Sequence, residues 1–175
     1  MSLIWRKTGS AQRIRITDAV LNHVAKHQQN GVTATEAGGQ LFGTVSRNEV
    51  RLVVAVGPHL RDERGRTHYR SDRKAAQRAI RDQAKRGLLF LGEWHTHPQD
   101  VPAPSGDDRD AIALMVGKSS LNVDAAVLLI VGRENPPLGL YIGTYREGVL
   151  ETWHCGTARI RRFGTFRRWI SKFLL

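Results

Sequence analysis

The sequence predicts an α/β protein: a single domain over residues 1–156 with a mixed, curved β-sheet packed with helices, followed at 157–175 by a basic amphipathic C-terminal helix. Three observations predict it. Strand-like and helix-like segments alternate through the middle of the chain, and strands then cluster. The 175 residues are 41% hydrophobic, enough for one buried core, and no repeat, low-complexity tract or linker divides them. Beyond residue 156, Ile160, Phe163, Phe166, Trp169, Ile170, Phe173 and Leu174 recur at three and four residues, with Arg161, Arg162, Arg167, Arg168 and Lys172 between them.

The elements follow in order. Arg13–Ile16 alternates polar and apolar residues, as a half-buried strand does. Thr17 is placed to cap a helix running to about Gln29, with Ala19, Val20, Leu21 and Val24 as its apolar stripe and Gly31 as its stop. Gly38–Ser46 and Glu49–Val56 read as strands joined at a hairpin turn, Arg47-Asn48. Gly57–Tyr69 is charged and reads as a loop. Ser71 is expected to cap a second helix to about Arg86, with Ala75, Ala76, Ala79 and Ile80 at helical spacing and Gly87 as its stop. Leu88–His97 reads as a strand that starts apolar and ends polar, and the prolines of Gln99–Pro104 dictate a loop. Ser105 is placed to cap a third helix, with Asp107 and Asp108 where acids favour the helix dipole and Ile112, Met115 and Val116 along its apolar side. Ala125–Val131, Gly139–Tyr145 and Val149–Trp153 complete the strands.

Composition bounds the function. One cysteine, Cys155, excludes an intrachain disulfide framework and a Cys-based zinc cage. The longest apolar run, Ala125–Val131, is far short of the ~20 residues that span a bilayer, and Met-Ser-Leu-Ile-Trp-Arg-Lys holds no apolar signal core. A reducing, cytoplasmic setting is expected. The net charge of +11 is local: residues 61–86 hold ten Lys/Arg and four Asp/Glu, 157–175 hold six Lys/Arg and no acid, and the rest is near neutral. The tail pattern suits an anionic membrane, a partner groove, or this protein's own core or a second copy.

Chemistry concentrates in Glu93-Trp94-His95-Thr96-His97-Pro98 and Pro104-Ser105-Gly106-Asp107-Asp108. Residues i and i+2 of a strand share a face, so His95 and His97 present two imidazoles side by side. An acid in the first turn of the next helix reaches back as a third ligand. Two His and one carboxylate, with a fourth position open, form a catalytic zinc arrangement, and zinc lowers the pKa of bound water to ~7. Glu93 shares the face of the two His and is either a supporting group or half of a strand-end ion pair. Trp94 is expected in the core. Gly38 and Gly39 permit close backbone approach or a bulge. His154 and Cys155 face opposite ways and form no nucleophile pair. His23, His27, His59 and His68 lack paired spacing and are expected in solvent.

The spacing His-x-His, seven residues, Ser, two residues, Asp, met by His95, His97, Ser105 and Asp108, resembles the JAMM motif of the MPN+ (JAB-domain) metalloproteases. Glu36-Ala37-Gly38-Gly39-Gln40-Leu41-Phe42-Gly43 is similar to that family's upstream Glu segment, and the resemblance covers roughly residues 11–150. It implies an MPN/JAB-like fold with Zn²⁺ on His95, His97 and Asp108. Asp108 is selected over Asp107 by the family pattern alone. Glu36 is implied as the general base that carries a proton from water to the leaving amine. Ser105 is implied as the oxyanion donor, and on its own residues reads equally as a helix cap.

The Gly-Glu-Trp-His-Thr-His-Pro wording is most similar to small bacterial deconjugases of ubiquitin-like antiphage operons, including those paired with cyclic-nucleotide synthases. The implied activity is that of a zinc isopeptidase or peptidase cutting after the C-terminus of a ubiquitin-like protein to release it from conjugates. Such a tail would add as a strand beside the site, with Gly57–Arg70 or Gln99–Pro104 walling the cleft. The alternatives are a non-catalytic MPN-type scaffold and a basic, nucleic-acid-associated JAMM-like domain. No aromatic-interleaved basic strand or helix-turn-helix pattern supports the latter.

Overall fold

Strand β1 (Ser2–Arg6), which the sequence pattern did not mark, closes the expected mixed, curved sheet into a barrel. The computed structural model describes residues 2–118, 123 and 125–156, so the amphipathic C-terminal helix expected at 157–175 lies outside the described residues. β1 pairs antiparallel with β2 (Arg13–Thr17) on one side and with β10 (Val149–Cys155) on the other. Between them run β9 (Leu140–Arg146), β8 (Ala126–Val131), β7 (Leu89–Thr96), β3 (Gly38–Ser46) and β4 (Glu49–Ala55), in the barrel order β1-β10-β9-β8-β7-β3-β4-β2. β7 with β8, and β2 with β4, are parallel neighbours; the others are antiparallel. A closed sheet leaves no edge among its eight strands.

Period-two alternation separates two cores. In β8 every residue is buried: Val127, Leu129 and Val131 point into the barrel, and Ala126, Leu128 and Ile130 point outward against Ile112, Met115 and Val116 of α3 (Gly106–Lys118). The barrel interior is filled by Trp5, Ile14, Ile16, Leu52, Trp94 and Ile142, among others, and α1 (Asp18–Ala25) adds Val20 and Val24. α2 (Arg73–Ala84) packs on the outer face of β3 and β7, burying Ala75 and Gln83.

Three local expectations are corrected. Thr17 precedes α1 as expected but makes no side-chain cap bond, and the helix stops at Ala25, short of Gln29. The Gln28 amide is turned away to the Gly132 carbonyl at 2.8 Å. The cap of α2 is Asp72: its carboxylate accepts from the Lys74 and Ala75 amides at 2.8 and 3.3 Å, while Ser71 accepts from the Gln40 side chain. The expected loop at 57–69 contains a small hairpin, β5 (Glu63–Arg64) with β6 (Tyr69–Arg70).

The parallel β2–β4 pair is pinned by one carboxylate. Glu49 accepts from Arg13 Nε at 2.5 Å and from Arg15 Nε at 3.2 Å. The Arg15 hydrogen bond, with Arg13 adding to it, holds the Glu49 carboxyl below its usual range despite partial burial. A depressed folded pKa stabilises above the unfolded value of ~4.3 and loses that stability as the pH falls through the folded value. Glu49→Gln should therefore cost about 1 kcal/mol near pH 7. The gap between urea melts of the two proteins should shrink as the pH falls below the unfolded value and through the depressed folded one; a gap that does not change with pH would rule out the charge as the cause.

Candidate metal centre and its cleft

A β-bulge sets which side chains of β7 face the cleft. Leu41 pairs with Gly92 but Phe42 with Phe90, so Leu91 is the extra residue. Gly92 lies at φ +142°, and a Cβ there would sit 2.0 Å from the Val127 carbonyl oxygen. Across the bulge the inward positions change parity, and Leu91 and Trp94 both enter the barrel core. Glu93, His95 and His97 are thereby turned to the opposite face. Trp94 is fully buried, as expected, and donates from Nε1 to the Val56 carbonyl at 2.9 Å.

His95 and His97 are both nearly buried, and their Nε2 atoms stand 3.0 Å apart. Asp108 enters from the first turn of α3, with Oδ1 3.0 Å from His95 Nε2 and Oδ2 3.3 Å from His97 Nε2. Two imidazole nitrogens and a carboxylate oxygen, all within 4.8 Å of one another, form a donor set that suits zinc. Neither Asp107 nor Asp110 belongs to this group, and both are exposed.

Asp108 is aimed by its helix terminus: the Ser105 amide and hydroxyl donate to its Oδ2 at 2.6 and 2.7 Å, and the Asp108 amide donates back to Ser105 Oγ at 3.1 Å. This is a capping box with Asp in place of Glu. Burial opposes ionisation of Asp108, but the hydrogen bonds of His95 and His97 outweigh it and hold the carboxyl well below the usual range. Burial likewise pushes the His97 imidazole down, and its hydrogen bond to Asp108, with the charges of Asp108 and Glu36, more than reverses this. His97 Nδ1 faces Gln99 Oε1 at 3.4 Å, which leaves Nε2 for the cluster.

Glu36, 5% exposed, lines the same cleft of about 440 Å³ as His95, His97 and Asp108. Its backbone is held from two sides. Ala37 donates to Thr96 Oγ1 at 2.9 Å and accepts from the Thr96 amide at 2.8 Å, which ties the segment to β7. The Glu36 amide donates to the Gly65 carbonyl at 2.7 Å, and Arg64 Nε donates to the Glu36 carbonyl at 2.5 Å. Burial raises the Glu36 carboxyl to about 7, with Asp108 adding to the rise and His97 opposing it. At Gly39 a Cβ would lie 1.8 Å from the Val56 carbonyl oxygen, so close backbone approach explains this glycine.

Both expected walls contribute: Thr67, His68 and Tyr69 from the hairpin side, and Gln99 from the proline loop. Glu93 also lines the cleft and hydrogen-bonds Gln40; burial first, then the charge of Asp62, raises it to about 7. No ion pair to Glu93 forms among the described residues. The expectation of solvated histidines fails for three of four. His23 meets the Gly57 carbonyl at 2.7 Å, His59 meets Gln40 Oε1 at 2.8 Å, and His27 packs on Trp94 with ring centroids 5.6 Å apart. Only His68 is exposed. Arg64, Gln40 and Tyr69 carried no sequence signal, because their roles rest on contacts between segments distant in the chain.

The family of prokaryotic homologs of the JAB domain matches residues 17–155. A protein named CD-NTase/cGAS isopeptidase from Escherichia coli (strain TW11681) is 29% identical over 127 residues, which cover 71% of this chain and 79% of that protein. One of the same name from Pseudomonas aeruginosa (strain BWHPSA011 / Pa011) is 30% identical over 139 residues, covering 69% of this chain and 87% of that protein. The solution structure of protein DSY2949 from Desulfitobacterium hafniense superimposes with a TM-score of 0.59 at 18% identity, covering 78% of this chain and 87% of that one, a likeness of fold.

The contacts around Glu36 generate a prediction. Removing the guanidinium in Arg64→Ala leaves the Glu36 carbonyl short of a charge-assisted bond worth about 1.5–3 kcal/mol. Amide exchange at Glu36 should accelerate at least tenfold, while exchange along β8, paired on both sides within the barrel, should change little. Unchanged protection at Glu36 would show that Arg64 does not hold this segment.

Proposed function

The chain belongs to the family of prokaryotic homologs of the JAB domain, and from that premise we propose that it is a zinc-dependent isopeptidase. It releases a protein that is conjugated through its C-terminus to a lysine of a target. The observation that carries this reading is the convergence of His95, His97 and Asp108 with Glu36 in one cleft. A JAMM-type site and a cytoplasmic role in a bacterial antiphage operon belong to the same reading. The isopeptidase name shared by the relatives supports a ubiquitin-like conjugate as the substrate, and the CD-NTase in that name supplies a candidate for the conjugated protein. No helix among the described residues is long and apolar enough to cross a membrane. The scaffold alternative loses ground because a complete donor set converges.

Zinc held by His95, His97 and Asp108 would supply Lewis acidity and bring the pKa of a water near neutrality. Glu36 accepts a proton from the attacking water and returns it to the departing lysine amine. A base with a pKa near 7 suits both transfers, and a dication beside it draws that value down. The Ser105 hydroxyl proton is engaged by Asp108, so in this reading Ser105 first aims a ligand. It reaches an oxyanion only by rotating its hydroxyl away.

Purified protein should hold about one zinc per chain, and Asp108→Ala should weaken zinc affinity at least tenfold. Glu36→Ala should keep the zinc and lose about 10²–10⁴-fold in cleavage, because it removes a base and no ligand. The substrate for this assay is a CD-NTase, the partner that the relatives' name supplies, fused through its C-terminus to a reporter protein. Protein with no zinc affinity would reject the reading, and full activity of Glu36→Ala would reject the mechanism.

A further inference from the structure

The segment 61–86 carries ten Lys and Arg against four acids, and the structure commits each acid locally. Asp62 accepts from the His59 amide at 2.6 Å, the Asp72 amide at 2.8 Å and Tyr69 Oη at 3.0 Å. Asp72 caps α2. Glu63 lies 3.8 Å from Arg70, and Asp82 lies 3.5 Å from Lys85. Arg61, Arg66, Arg73, Lys74, Arg78 and Arg81 are all exposed and form no ion pair among the described residues.

These charges are ordered. Lys74, Arg78, Arg81 and Lys85 follow one another at four, three and four residues, so they make one stripe along the exposed side of α2 and its end, about 16 Å long. The stripe is coupled to the cleft. Asp62 ties Tyr69, a cleft wall, to Asp72, the cap of α2. Across the cleft the first turns of α3 expose Asp107, Arg109 and Asp110, so that flank is mixed with a slight acidic excess, whereas the α2 stripe is uniformly basic.

We infer that the α2 stripe is a docking surface for an acidic face on the folded body of the protein whose C-terminal tail enters the cleft. This rests on the isopeptidase reading and names how its substrate is held. On the isopeptidase reading the tail in the cleft always belongs to the conjugated protein, so a fixed stripe beside that cleft serves the body from which the tail emerges. A nucleic acid, negative along its whole length, would meet Asp107 and Asp110 on the other flank, whereas a folded protein offers both signs. Exposed charges of this kind act on encounter and orientation, and their effect falls with salt.

The test uses the zinc-loaded full chain and two probes: a CD-NTase carrying a fluorescent dye, and a short peptide of its last residues joined to a lysine. The triple variant K74E/R78E/R81E should bind the CD-NTase at least tenfold more weakly by fluorescence anisotropy. The ratio of kcat/KM on a full conjugate to that on the peptide should fall similarly. Raising NaCl from about 50 to 300 mM should weaken wild-type binding and leave the variant nearly flat. Equal, salt-insensitive binding by both proteins would overturn the inference. So would stripe-dependent binding of a 30-base-pair duplex with CD-NTase binding unchanged. If the wild type does not cut the peptide yet binds the CD-NTase through the stripe, the chemistry fails and the docking stands.

Discussion

Gly92 lets β7 run so close to β8 that any side chain there would strike the Val127 carbonyl. That contact supports the bulge, and the bulge decides the parity of every later residue on β7. With it, Trp94 fills the barrel core while Glu93, His95 and His97 face the cleft. Without it, the same residues would be asked to put imidazoles in the core and an indole in solvent. The candidate metal centre is thus an outcome of backbone packing three residues or more upstream of His95 and His97, and the parallel pairing of His95 with Ile130 holds it against a strand buried on both faces.

The cleft was legible where its chemistry is local. His95 and His97 share a strand, so their spacing states that they meet; Ser105 and Asp108 share one helix turn, but the choice of Asp108 over Asp107 rests on the family resemblance. Most elements were legible for the same reason, since β3, β4, β7 and β8 announce themselves by apolar runs between turn residues. β1 was not: Leu3, Ile4 and Trp5 sit together without alternation, and the strand exists because β2 and β10 both need a partner. Barrel closure is a non-local property and leaves no mark on a window of residues. The hairpin of β5 and β6 is two residues a side, below the length at which periodicity speaks. Asp72 displaced Ser71 as a cap because Ser71 is drawn to Gln40, a residue on another strand.

Charge follows the same division. The composition shows an excess of cations, but only the structure shows that the acids of residues 61–86 are spent on amides, a phenol and two ion pairs. It also shows three carboxylates at or beside the cluster in different states. Asp108 is held ionised by donors that converge on it, whereas Glu36 and Glu93 are pushed up by burial. One carboxylate is fit to stay charged on a cation and another to gain and lose a proton, and environment alone separates them.

Glu36 owes its place to two elements that have no other reason to cooperate. Thr96 fixes the adjoining backbone to the barrel, and the hairpin grips it through Arg64 and Gly65. The barrel side sets the distance between Glu36 and the histidines, because Thr96 lies between His95 and His97. The hairpin side belongs to the wall of the cleft, because its far strand carries Tyr69. Anything that shifts that wall therefore shifts Glu36, while His95, His97 and Asp108 stay with the barrel and α3. On the proposed reading, a base mounted this way would couple occupancy of the cleft to its own position without requiring the three candidate ligands to move.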